Sequence, residues 1–158
     1  MRLFCLSLLL LCVIGCSKSK SEHANLLDFA PKNTSVFIKT NNLESFSNSI
    51  SNSDFLQNIS KTSTYKNLEE RLEPLSHLNP AEDVLICFSK DDNDSLQYSV
   101  ITKLSDNLFD TDSLPNYTEE KLIYRKKSIL KSTIGSNTIY SAIIDSTFFA
   151  SSSKKLVD

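Results

Sequence analysis

The chain has 158 residues, 40% of them hydrophobic and 23% charged, with a formal net charge of −2, a balance that suits a packed domain and excludes a basic nucleic-acid binder. It holds two glycines, two histidines and four cysteines. With Gly15 and Gly135 as its glycines, loops of the Walker or Rossmann type, which need closely approaching backbone, are excluded.

Met1 and Arg2 form a short basic start, and Leu3 to Ile14 is an apolar run that ends at Gly15 and Cys16. That is the layout of a secretory signal. A spanning helix takes about 20 apolar residues. This run has twelve and meets Ser17-Lys18-Ser19-Lys20 almost at once, so it reads as a removable leader. Val13, Ile14, Gly15 and Cys16 resemble the bacterial lipobox at all four of its positions. The resemblance implies diacylglycerol on the Cys16 sulfur, cleavage between Gly15 and Cys16, and a further acyl chain, palmitate in type, on the new amino terminus. Two acyl chains, at roughly 0.8 kcal/mol per buried methylene, hold a protein stably on a membrane. Ser17 in place of Asp resembles the pattern sent on to the outer membrane of two-membrane bacteria. The alternation of Ser and Lys over residues 17–21 lacks the acidic run of some surface-exported lipoproteins, so the periplasmic face is expected.

Processing removes Cys5 and Cys12 and turns Cys16 into a thioether, which leaves Cys87 as the one thiol. Cys87 sits within Val84-Leu85-Ile86-Cys87-Phe88, where a free cysteine acts as a small buried hydrophobe. Loss of Arg2 leaves 16 basic against 19 acidic residues. The organisation read from these features is a leader over 1–15, a lipidated polar tether over 16–24, and a single domain over 25–158.

Within that domain the hydrophobic period switches between two and helical spacing, which predicts an α+β fold. The expected architecture is an antiparallel sheet of about five strands with two or three helices after the first strand. Ser35 to Thr40 reads as that first strand, with Val36 and Ile38 on one side and Phe37 and Lys39 on the other. Asn41 stands three residues before Glu44 in a capping-box arrangement, and Leu43, Phe46 and Ile50 share a face of a helix from about Asn42 to Ser51. Asp54 caps a second helical stretch carrying Phe55, Leu56 and Ile59. Tyr65, Leu68 and Leu72 continue the spacing until Pro74 interrupts it.

Asp83 to Ser89 and Ser95 to Lys103 form a predicted hairpin across a polar turn, with Leu96, Tyr98 and Val100 inward. Lys121 to Leu130 reads as one further strand. Thr138 to Ile144 and Thr147 to Ser151 read as a second hairpin across Asp145-Ser146, preceded by a turn at Gly135 and Asn137. Phe37, Tyr98, Tyr124, Tyr140, Phe148 and Phe149 are assigned to the core. Ser152 to Asp158 begins a helix too short to bury Leu156 and Val157 well, which leaves room for the chain to be the N-terminal part of a longer protein. The domain also resembles a group of uncharacterised cell-envelope lipoproteins from Bacteroidetes. Residues Phe29 to Ile38 and Phe148 to Ser153 carry that resemblance, and it implies no known activity.

Chemistry is sparse. His23 and His77 lack a second ligand at metal-binding spacing. Asp91, Asn93 and Ser95 imitate the opening of a calcium loop, but Leu96 and Thr102 stand where Gly and a bidentate Glu are needed, so a hairpin tip is expected. Ser63-Thr64-Tyr65-Lys66 and Ser105-Asp106-Asn107 resemble, in order, two motifs of penicillin-binding enzymes, in which a lysine one turn away takes the serine proton. The Lys-Thr-Gly motif is absent, and 26 serines and 14 lysines make Ser-x-x-Lys recur at Ser17, Ser128, Ser151 and Ser152. Lys121, Arg125, Lys126, Lys127 and Lys131 form a basic cluster that suits lipid headgroups or a charged edge strand.

The sequence thus points to a membrane-anchored envelope lipoprotein with a non-catalytic binding or structural role, without a cofactor or a metal. Its expected partners are the membrane, through Cys16, and an envelope protein. The alternatives are a serine acyl-transfer enzyme built on Ser63 and Lys66 and a small-molecule binding lipoprotein.

Overall fold

The computed structural model describes residues 25–54, 61–91, 94–109, 111–114 and 116–157. Gly15, Cys16, His23 and the tether therefore lie outside the described residues, as do Phe55, Leu56, Ile59 and Asn93 and the side chain of Ile50.

Seven strands form one antiparallel sheet: β1 (Thr34–Thr40), β2 (Val84–Lys90), β3 (Leu96–Lys103), β4 (Thr118–Tyr124), β5 (Lys127–Ile134), β6 (Asn137–Ile144) and β7 (Thr147–Ser151). Their order is β1-β2-β3-β7-β6-β5-β4. Among the described residues two α-helices, α1 (Leu43–Ser51) and α2 (Ser63–Leu72), lie between β1 and β2. The α+β class is as expected, but the sheet has seven strands rather than about five. The single strand expected over Lys121 to Leu130 is two strands folded at Arg125 and Lys126, which take φ of 47° and 67°. Two-residue hairpin turns of this kind normally carry Asn, Asp or Gly. An Arg-Lys pair leaves no such mark.

Alternation along the strands builds two cores. Val84, Ile86, Tyr98, Val100, Ile139, Phe148 and Ala150 pack on one face beneath Leu43, Phe46, Leu72, Leu75, Leu78, Leu108 and Leu114. On the opposite face Leu85, Cys87, Ile101, Ile129 and Phe149 lie beneath Leu26, Phe29, Leu156 and Val157. The middle strands β2, β3 and β7 are buried on both faces. That is why they read as nearly unbroken apolar runs.

The sheet edges behave differently. On β1 only Ile38 packs against the helix-side core, while Val36 is 54% and Phe37 61% exposed, so Phe37 is not the core residue expected. As an edge strand, β1 has a neighbour on one side only. The other edge, β4, carries Glu119, Glu120 and Lys121 exposed, charges that oppose strand addition. Leu96, expected inward, is 40% exposed beside the β2–β3 turn, whereas Tyr98 and Val100 are buried.

Local signals set the element ends. The cap of α1 is Asn42 rather than Asn41: its Oδ1 accepts the Ser45 N–H at 2.8 Å. The Thr40 hydroxyl accepts the Asn42 N–H at 3.1 Å, a turn that bends the chain at Asn41 just ahead of the helix. Thr62 caps α2 through the Tyr65 N–H at 3.3 Å. After Leu72 the chain tightens into a 3-10 turn, Glu73–His77, with buried Pro74 at its start, where a missing N–H costs nothing.

The C-terminal turn corrects another expectation. Lys154–Val157 is a 3-10 turn that leaves Val157 only 5% exposed, so four residues suffice to bury it. Serines redirect the chain over the sheet: Ser152 N–H donates to the Tyr98 carbonyl at 3.0 Å, and Ser153 N–H donates to Ser151 Oγ at 3.1 Å.

Candidate functional site

Ser63 and Lys66 both occupy the solvent-exposed first turn of α2. Ser105, Asp106 and Asn107 lie in the connection that leaves β3, and among the described residues no hydrogen bond joins the two motifs. The opposite end of α2 is fixed to the sheet, where Arg71 Nη2 donates to Gln97 Oε1 at 3.0 Å and Asn137 Nδ2 donates to the Glu70 carbonyl at 3.0 Å. His77 meets Glu73 at 3.0 Å, one helical turn away on the surface.

The calcium-like run is a hairpin closure. Asp91 Oδ1 accepts the Ser95 N–H at 2.9 Å and Oδ2 accepts Gln97 Nε2 at 2.8 Å, while Lys90 pairs with Asp94 at 2.6 Å. Cys87 is fully buried, and burial pushes its thiol up despite a hydrogen bond with Thr34. A thiol held protonated is a packing group, not a nucleophile.

The serines missed as a group by sequence reasoning lie at the end of β7. Ser99 Oγ donates to Ser151 Oγ at 3.2 Å, Ser151 Oγ donates to the Tyr98 carbonyl at 2.8 Å, and Ser152 Oγ donates to Gln97 Oε1 at 2.9 Å. Their hydroxyls hold backbone and amide groups, so they serve the fold. The Phe148 to Ser153 stretch showed the serines, but not that strand pairing would bring Ser99 and Gln97 against them.

Two concavities stand out among the described residues. A groove of about 490 Å³ runs between the segment from Asp28 to Asn33 and the C-terminal turn, floored by Ala142, Ile144 and Phe149 and rimmed by Asp28, Lys32 and Lys155. Its size falls in the range of small-molecule sites, and its apolar floor with charged rim suits an apolar body with a polar head. A smaller cavity of about 170 Å³ lies on the helix side between Leu130, Ile134, Ile139, Phe109 and Phe148. Phe109 and Phe148 meet edge to face at 5.6 Å. At its mouth Tyr117 donates to Glu119 Oε1 at 2.6 Å, and burial together with that carboxylate pushes the phenol up.

The basic cluster sits on the β4–β5 hairpin. Lys131 Nζ reaches Glu120 at 3.4 Å, whereas Arg125 and Lys154 lie 5.5 and 4.7 Å from the centre of the Tyr124 ring. No protein family, no curated protein and no solved structure matches this chain.

Proposed function

We propose that the chain is a cell-envelope lipoprotein precursor, similar to the Bacteroidetes envelope group, cut between Gly15 and Cys16 and anchored by lipid on Cys16. Its domain serves as a non-catalytic binding or structural element, and the preferred location is the periplasmic face of the outer membrane. The observation that carries this reading is the order of a basic start, an apolar run too short to span, and Val13-Ile14-Gly15-Cys16. In support of a non-catalytic role, Ser63 and Lys66 stand in solvent and the β7 serines hydrogen-bond to backbone and amide groups.

The test is intact mass and detergent partitioning after expression in a bacterium, wild type beside Cys16→Ala. Wild type is expected to lose residues 1–15, gain acyl mass and partition with detergent. Identical behaviour of the two would sink the anchor. Labelling of Ser63 by an acyl-serine probe would sink the non-catalytic assignment.

A second reading, small-molecule binding, is favoured by the groove between the Asp28 to Asn33 segment and Val157. It requires a ligand-dependent rise in melting temperature that is lost on filling the floor with Ala142→Phe.

A further inference from the structure

We propose that the end of the sheet bearing the β4–β5 and β6–β7 turns is a surface that docks on anionic lipid bilayers. Its basic side chains would meet the headgroups and its aliphatic ones the acyl boundary. The proposal rests on this rim's own chemistry and not on acylation of Cys16.

Antiparallel alternation puts both turns at one end. Leu130 faces Ser141 across β5 and β6, and the same register carried outward sets Lys126 level with Asp145. Strands lie about 4.8 Å apart, so the turns are separated by on the order of 10 Å. The Leu104 N–H donates to the Ser146 carbonyl at 2.9 Å and brings the end of β3 onto the same rim.

Ile123 is 82%, Ile143 59%, Leu104 46% and Ile144 40% exposed, and all four belong to this rim. Scattered exposed aliphatics need no explanation, but a gathering of them at one end does. Around them Arg125, Lys126 and Lys127 are exposed, against Asp145 as the acid in the two turns. Lys126 and Lys127 have no ion-pair partner among the described residues. Lys154 adds one further positive charge, sharing the Tyr124 ring with Arg125. Left-handed backbone at Arg125 and Lys126 is an unfavourable conformation for side-chain-bearing residues, held here at the point where two cations project.

The shape selects lipid over a folded acidic partner. Ile123 and Ile143 lie on the helix side of the sheet, while Tyr124 and Ile144 lie on the other, so the apolar groups flank the two hairpin tips on both sides. A bilayer yields around a double-sided wedge, whereas a folded partner would need a matching cleft. Basic residues at an anionic surface are each worth about a fivefold gain in binding, and the effect fades within a Debye length.

The experiment uses the chain from residue 16 onward with Cys16→Ser, so that its outcome is independent of the anchor. It is sedimented with phosphatidylglycerol vesicles and with phosphatidylcholine vesicles. Binding is expected to the anionic vesicles only, to weaken with salt, and to fall roughly thirtyfold in Lys126→Gln/Lys127→Gln. The chain has no tryptophan, so Ile123→Trp introduces a single tryptophan, whose emission, excited apart from the tyrosines, is expected to shift to the blue on anionic vesicles. Circular dichroism of each variant checks the fold, and the salt titration of the parent chain needs no variant. Absence of binding, equal binding to neutral vesicles, or unchanged emission would overturn the proposal. Binding to polyglutamate without that emission shift would assign the rim to an acidic polypeptide and overturn it equally.

Discussion

Tyr98 shows how one buried side chain links environment to pH. Only 3% exposed, it is pushed well above the ordinary tyrosine range by burial, with Arg71 pulling the other way and Glu73 adding to the rise. An exposed tyrosine ionises near pH 10, so the unfolded chain ionises first. The stabilising contribution is therefore complete below about pH 10 and is lost as pH climbs toward the folded value. Urea melts on either side of about pH 10 are expected to show a steeper alkaline loss in wild type than in Tyr98→Phe. Cys87 yields a second expectation at this scale: its thiol should resist a disulfide reagent in the folded protein and react promptly in denaturant. Its burial was legible from the apolar run around it. Phe37 was not, because an aromatic on an edge strand has the same local sequence signature as one on a central strand.

Among the elements, turns and caps decided the outcome. Asp145 and Ser146 take φ of 47° and 60°, and the Asp-Ser pair was readable as a turn because a short polar side chain tolerates that backbone. Ser146→Gly relieves the strain at an exposed site and is expected to add about 0.5–1 kcal/mol, seen as a melting temperature raised by a few degrees. Arg125 and Lys126 adopt the same geometry with residues that do not announce it, so a strand and a turn stayed hidden within Lys121 to Leu130. The length of the final 3-10 turn is a poor guide to its burial, which depends on the sheet face that receives it. Its Val157 closes the second core, and Val157→Ala is expected to cost about 2 kcal/mol by denaturant unfolding. Seen from sequence, α1 and its face were legible through Leu43 and Phe46. Its cap is not legible to the residue, because Asn41 and Asn42 carry the same side chain, and the Thr40 hydroxyl decides between them.

Across the whole molecule the two cores share one sheet, with Ile86 facing the helices and its neighbours Leu85 and Cys87 facing the terminal turns. Neither core survives loss of the other's strands, so unfolding is expected to be a single transition. Ile86→Ala, expected to cost about 3 kcal/mol, should shift circular dichroism and tyrosine fluorescence together. Two separated transitions would show that the faces unfold independently. The sequence by itself determined the α+β class, the central strands, the helix face and the burial of Cys87, because periodicity, caps and apolar runs are local properties of the chain. Tertiary structure alone decided that β7 inserts beside β3, that Phe37 stays in water and that Val157 is covered. It also decided that Leu104, Ile123 and Ile143 meet Lys126 at one rim. These depend on pairing between residues far apart in the chain, and sequence periodicity carries a strand's facing but not its neighbour.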